Sequence, residues 1–175
     1  MSDPRDEILD HVPALRAFAR SLTRDAVRAD DLVQDALVKA FSNLDKFQAG
    51  TNLRAWLFTI LRNVFYSGKR KSGREVEDVD GDYAAQLTVA PAHDSKLQFA
   101  EFRKAFALLS DERREALTLI GALGLSYEEA AETCGVAVGT MKSRTNRARK
   151  ELAELMKLDD TDPGAAPLKA TRSIA

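Results

Sequence analysis

The chain has 175 residues, of which 45% are hydrophobic and 30% charged, enough to bury one or two modest cores, and no apolar run approaches the length of a membrane span. A single cysteine, Cys134, excludes an intramolecular disulfide, and two histidines without companion ligands, His11 and His93, give no metal-binding pattern. The net charge of −1 is unlike that of a free-standing DNA binder, which is usually basic overall.

The first segment, M-S-D-P-R-D-E, lacks the hydrophobic core of a signal peptide, which predicts a cytoplasmic protein. Ile8, Val12, Leu15, Ala19 and Leu22 keep helical spacing, and Pro13 should split off a short leading helix. Asp30 is a candidate cap for a second helix whose Val33, Leu37, Ala40, Phe41 and Leu44 face inward. Asp31 and Asp35 lie four apart on its outer side with Gln34 between them. Acids are favoured near a helix start, so a merely solvated face explains them equally well.

After a Gln48–Thr51 turn, Asn52 is expected to cap a long helix with Leu53, Trp56, Leu57, Ile60 and Val64 as its apolar stripe. The same helix leaves Arg62, Asn63, Tyr66, Ser67 and Arg70 outside. Residues 62–74 hold five bases and no acid, and Glu75, Glu77, Asp78, Asp80 and Asp82 follow without a base. An aromatic and an amide beside a basic run suit single-stranded nucleic acid, whose bases stack on rings while the backbone is neutralised. Residues 75–95 then have little periodicity and predict a flexible acidic linker.

Helical pattern resumes near Ser95 with Leu97, Ala100, Phe102, Ala105, Phe106 and Leu109. S-D-E-R at 110–113 starts another helix, carried by Ala116, Leu117, Leu119, Ile120 and Leu123 and closed by Gly124. Ser126 and Glu129 have capping-box spacing, Ala130 and Ala131 permit a close helix crossing, and Gly135 can end the helix in a left-handed conformation. Gly-Val-Ala-Val is the length of a helix-turn-helix turn, and the second helix starts near Gly139. Met141, Thr145, Ala148, Leu152 and Leu155 form its inner face. At about 100° per residue, Lys142, Ser143, Asn146, Arg147 and Lys150 lie opposite, with Arg144 and Arg149 at the edges. Residues 139–150 carry three Arg, two Lys and no acid, a phosphate-seeking face with short polar side chains that can reach base edges. The tail 159–175 is polar, contains Pro163, Gly164 and Pro167, and is expected to be disordered.

Three motifs in order give the chain a resemblance. R-A-D-D-L-V-Q-D-A-L-V-K-A-F at 28–41 resembles the clamp-gripping helix of bacterial sigma factors of the extracytoplasmic-function (ECF) type. L-R-A-W-L-F-T-I-L-R-N at 53–63 is similar to their promoter-melting helix, and V-G-T-M-K-S-R at 138–144 to the helix that reads the minus-thirty-five element. The resemblance implies an all-α protein with sigma domain 2 at 1–74, a linker at 75–95 and sigma domain 4 at 96–158. It implies core RNA polymerase docking, on the beta-prime clamp and beta flap, with Asp31, Leu32, Gln34, Asp35 and Val38 on the clamp side. Gln48, Thr51, Asn52, Arg62, Asn63, Tyr66 and Arg70 would engage the minus-ten element. Thr140, Lys142, Ser143, Arg144, Asn146, Arg147, Arg149 and Lys150 would engage the minus-thirty-five element. R-A-F-A-R-S-L-T at 16–23 and R-N-V-F-Y-S at 62–67 are similar to EcfG-type general stress factors of alphaproteobacteria. That subgroup implies a NepR-type anti-sigma factor and, behind it, a PhyR-type response regulator. Two positions depart from the pattern: Ser67, where many relatives carry Asp, and Thr145, where a larger aliphatic is common. No catalytic group, cofactor, membrane contact or small-molecule substrate is implied. Two other classes remain open at this point, a dimeric helix-turn-helix regulator and a sigma-like decoy, although a decoy needs no basic 142–150 face.

Overall fold

The computed structural model describes residues 4–72 and 93–156, and every regular element among them is helical. Residues 75–92 of the expected 75–95 linker and the expected tail from 159 lie outside the described residues, and 93–95 are already helical. Helix α1 (Pro4–Asp10) and α2 (Val12–Thr23) meet at His11, and Pro13 sits in the first turn of α2, where its missing N–H breaks no hydrogen bond. Ile8, Leu15, Phe18, Ala19 and Leu22 are buried. α2 ends at Arg24, whose left-handed φ of 57° turns the chain directly into α3 (Ala26–Ser42).

The cap of α3 is Asp25, not Asp30: its side chain accepts a 2.8 Å hydrogen bond from the Arg28 N–H. Asp30 instead lies in the helix and pairs with Arg16 of α2 at 3.2 Å. The buried stripe is correspondingly Ala29, Leu32, Val33, Ala36 and Ala40, while Phe41 is exposed and Leu37 only half-buried. Three alanines on that stripe let α3 lie close to its neighbours, so the helix turns its larger Val27, Val38 and Phe41 outward.

A 3-10 turn (Leu44–Lys46) leads to α4 (Leu53–Ser72), capped as expected by Asn52, which accepts from the Ala55 N–H at 3.1 Å. Leu53, Leu57, Phe58 and Leu61 enter the core, and Phe58 meets Phe18 edge-on with ring centroids 5.4 Å apart. Trp56 is half-buried against Phe47, with centroids 5.2 Å apart.

The C-terminal half begins with α5 (His93–Leu108), two residues before the expected start, since the last helix breaker upstream is Pro91. α6 (Asp111–Leu117) is capped by Ser110 and passes into a π-helical turn (Thr118–Ala122) that ends before Gly124 at φ 69°. α7 (Tyr127–Cys134) has the expected capping box, with Ser126 and Glu129 each accepting from the other's backbone N–H, and ends at Gly135 at φ 65°. α8 (Val138–Leu155) buries Met141, Thr145 and Ala148 completely. Thr145 fits because its hydroxyl donates to the Met141 carbonyl at 2.8 Å, so this buried hydroxyl is paired. Leu155, expected on the inner face, is 40% exposed because the stripe runs past the end of the neighbouring helices.

The two halves were expected to move independently on their linker. They instead share one cluster of buried residues, with α4 against α7 and α2 against α6. Apolar contacts continue across the junction, and charged side chains complete it.

Candidate nucleic-acid interface

On α8, Thr140, Lys142, Asn146, Arg147, Arg149 and Lys150 are exposed, and Ser143 and Arg144 are half-buried. The helix-turn-helix geometry explains this division, since Met141, Thr145 and Ala148 fix the opposite face against α6 and α7. Lys142 Nζ lies 5.7 Å from the Tyr127 ring centroid, which holds its ammonium at the entrance of the helix. Arg144 leans away from solvent to pair with Glu112 at 3.0 Å. Four exposed cationic side chains and one amide therefore present outward, a surface suited to phosphates and one base edge.

The predicted minus-ten residues separate into two groups. Gln48, Thr51, Asn52, Asn63 and Arg70 are exposed, with the turn fixed by the Thr51 hydroxyl donating to the Gln48 carbonyl at 2.7 Å and by Gly50 at φ 89°. Arg62 and Tyr66 do not face solvent as expected. They turn onto the C-terminal half, where Arg62 Nε donates to Glu115 Oε1 at 2.6 Å and the Arg62 guanidinium lies 4.6 Å above the Tyr66 ring. Helical projection could not show this, because the partner of that face, Glu115 of α6, lies in the other half of the chain.

Among the docking residues, Asp31, Gln34, Asp35 and Val38 are exposed, Val38 at 66%. Leu32 is largely buried, at 7% exposure, and offers a partner only the floor of the groove beside Asp31 and Asp35. Asp31 and Asp35 line an open groove of about 490 Å³ whose apolar floor includes Leu22, Leu32, Val64 and Phe65. Its far wall includes Asp111 of the C-terminal half.

The residues missed by sequence reasoning are the acids and the arginine that join the halves. Glu115, 1% exposed, is matched by Arg62 at 21%. Burial pushes the Glu115 carboxyl above its ordinary range against the opposing pull of Arg62. Burial works against the Arg62 charge, but the hydrogen bond and attraction of Glu115 outweigh it and raise its pKa. Arg114, 3% exposed, donates to the Ser21 carbonyl across the junction at 2.8 Å, to the Leu109 carbonyl at 3.0 Å and to Asp111 at 2.6 Å. Asp111 also receives Lys69 of α4 at 3.0 Å and Arg24 at 3.5 Å. Despite a burial penalty, the hydrogen bonds of Lys69 and Arg114 hold Asp111 below its ordinary range. The Asn52 amide donates to Glu129, and the Arg54 guanidinium to the Leu123 carbonyl. The only sequence hint was R-R-E at 113–115, charged residues running directly into the apolar stretch 116–120.

Burial, then the nearby Glu115, pushes the Cys134 thiol up to about 12, so it stays protonated and unreactive at neutral pH. Among the described residues, no three His, Cys, Asp or Glu side chains gather as a metal site, and no helix is long and apolar enough to cross a membrane.

Comparison with known proteins gives a consistent pattern. Residues 8–75 match the family model Sigma-70 region 2, and residues 99–152 match Sigma-70, region 4. The chain is 57% identical over 158 residues to the ECF RNA polymerase sigma factor EcfG of Rhodopseudomonas palustris, covering 90% of this chain and 87% of that protein. Among solved structures, it resembles the sigma factor RpoE of Bartonella quintana, in complex with the anti-sigma factor NepR, at a TM-score of 0.74 and 54% identity. That match covers 88% of this chain and 96% of the other. CnrH, in complex with the cytosolic domain of CnrY, matches at a TM-score of 0.64 and 29% identity, covering 88% and 87% of the two chains.

Proposed function

The chain belongs to the ECF sigma factors of RNA polymerase, and from that premise we propose how its own residues recruit polymerase and read a promoter. The acidic outer face of α3, carried by Asp31, Gln34, Asp35 and Val38, docks on the beta-prime clamp. α8 enters the major groove of the minus-thirty-five element. Lys142, Asn146 and the partly exposed Ser143 lie nearest the base edges, and Arg147, Arg149 and Lys150 lie on the phosphates. The observation that carries this reading is the exposed face of α8 over residues 139–150, which holds no acid and is turned outward by the fully buried Met141, Thr145 and Ala148.

At the minus-ten element the Gln48–Asn52 turn and Asn63 form a polar rim that can receive a base flipped out of the duplex. Unstacking costs a few kcal/mol, which hydrogen bonds to the base edge must offset. Arg62, Tyr66 and Arg70 follow along the same helix and would hold the separated strand by stacking and charge. The chain supplies recognition, and bond formation belongs to the polymerase. This division explains a net charge of −1, because DNA affinity is shared with the core enzyme.

Likeness to EcfG and to a sigma factor held by NepR supports control of the general stress response by a NepR-type anti-sigma factor, released by a PhyR-type regulator. Such an inhibitor covers the α3 face and competes with core polymerase. A cytoplasmic location fits all of these partners. Run-off transcription with purified core polymerase tests the proposal. The chain should direct initiation from a template bearing both elements and lose it when either is scrambled. Initiation that ignores the element sequences would exclude this reading.

A further inference from the structure

We infer that the free chain is self-locked: Glu115, Asp111 and Glu129 of the C-terminal domain occupy Arg62, Lys69 and Asn52 of the melting helix and its cap, so the two domains must part before promoter DNA can be engaged. The inference rests on the sigma reading above and adds a control internal to the chain.

In the closed form the nucleic-acid groups of α4 are occupied. Arg62 Nε spends its hydrogen bond on Glu115 at 2.6 Å, and the Arg62 guanidinium covers the Tyr66 ring at 4.6 Å. The cation and the aromatic that would hold a separated strand are therefore both in use. A carboxylate bonded to a guanidinium imitates a backbone phosphate, so Glu115 competes with DNA for the same donor. Asn52 is taken in the same way by Glu129, the capping-box residue of α7. Lys69 is held by Asp111 at 3.0 Å.

Elements named minus-thirty-five and minus-ten lie roughly 25 base pairs apart, or about 85 Å at about 3.4 Å per base pair. In the closed form the start of α4 touches the start of α7, so the two reading surfaces cannot reach both elements. Residues 73–92 give the chain a fully extended reach of about 70 Å, which with the width of the domains is enough once the interface parts.

The cross-domain hydrogen bonds are made by charged or amide groups that DNA and polymerase can satisfy instead. The apparent affinity for promoter is lowered by the fraction of molecules that are closed.

The test uses the full chain with no anti-sigma factor present. Lys69→Cys/Asp111→Cys is treated with a reducible bis-maleimide, and buried Cys134 stays out of the reaction. The expected results are efficient bridging in the free chain, loss of promoter complex with core polymerase while the bridge is intact, and recovery on reduction. No bridging, or a bridged chain that still forms promoter complex, would overturn the lock. Should the double variant stay inactive when reduced, Asp111→Asn decides, since its carboxylate is held charged by Lys69 across the junction. With core polymerase it should bind promoter about tenfold more tightly or better, the effect of losing a charge-assisted hydrogen bond on a two-state equilibrium. Affinity equal to that of the unmodified chain would overturn the lock. Failure of the unmodified chain to form any promoter-specific complex with core would instead refute the sigma reading itself.

Discussion

Replacing Arg62 with alanine leaves the Glu115 carboxylate, 1% exposed, without its cation. Breaking a buried ion pair by removing one partner costs about 3–5 kcal/mol. Arg62 keeps 21% exposure, and this solvent contact screens the pair and moves the expected coupling to about 2–3 kcal/mol. The measurement is a double-mutant cycle of Arg62→Ala and Glu115→Gln, by urea unfolding of the full chain followed by far-ultraviolet circular dichroism. Arg62→Ala alone should be strongly destabilising, and much less so in the Glu115→Gln background, where no buried charge is stranded. The coupling should shrink as pH falls toward 4.5, the ordinary carboxyl value, because Glu115 takes a proton and no longer needs its partner. A coupling below about 1 kcal/mol, the range of exposed pairs, would refute the claim that this bridge is buried between the domains.

Three further outcomes follow from the same geometry. Asn146→Ala should relax base choice within the minus-thirty-five element, whereas Arg149→Ala should weaken all sequences alike and flatten the salt dependence, and equal loss on every variant for Asn146→Ala counts against base reading. Asp31→Lys/Asp35→Lys should abolish assembly with core polymerase while changing unfolding stability by less than about 1 kcal/mol, since both side chains are exposed; normal assembly removes this face from the account. In pH titrations of stability, Glu115 is raised when folded, so its contribution grows as pH falls from that raised value to 4.5; Asp111 is lowered, so its contribution is present above 3.8 and lost below it. Glu115→Gln should erase the first limb and Asp111→Asn the second, and an unchanged profile in either variant contradicts the assignment.

The sequence disclosed what local chemistry dictates and little of what depends on distant partners. The Ser126/Glu129 capping box, the Gly124 and Gly135 stops and the Met141/Thr145/Ala148 face are set by spacings of a few residues, and the structure has them as expected. The cap of α3 was misplaced because Asp25 and Asp30 are both good cap residues, and only the turn through left-handed Arg24 selects the first. Leu32 is buried because it shares a helix face with Ala29, Val33 and Ala36. Arg62 and Tyr66 looked like solvent-facing nucleic-acid residues for a sound reason, since they lie off the apolar stripe of α4. What hides them is Glu115, 53 residues away in the chain and in the other domain, a pairing with no local signature.

The most direct measurement of the central claim is a band-shift titration on promoter DNA with and without core RNA polymerase, comparing an intact promoter with one whose minus-thirty-five element is scrambled. The account predicts that the chain alone gives only weak, salt-sensitive binding without preference, and that chain and core together give a complex specific to the intact promoter. Specific binding by the chain alone, favouring a palindrome with half-sites one helical turn apart, would contradict it and identify a dimeric regulator instead.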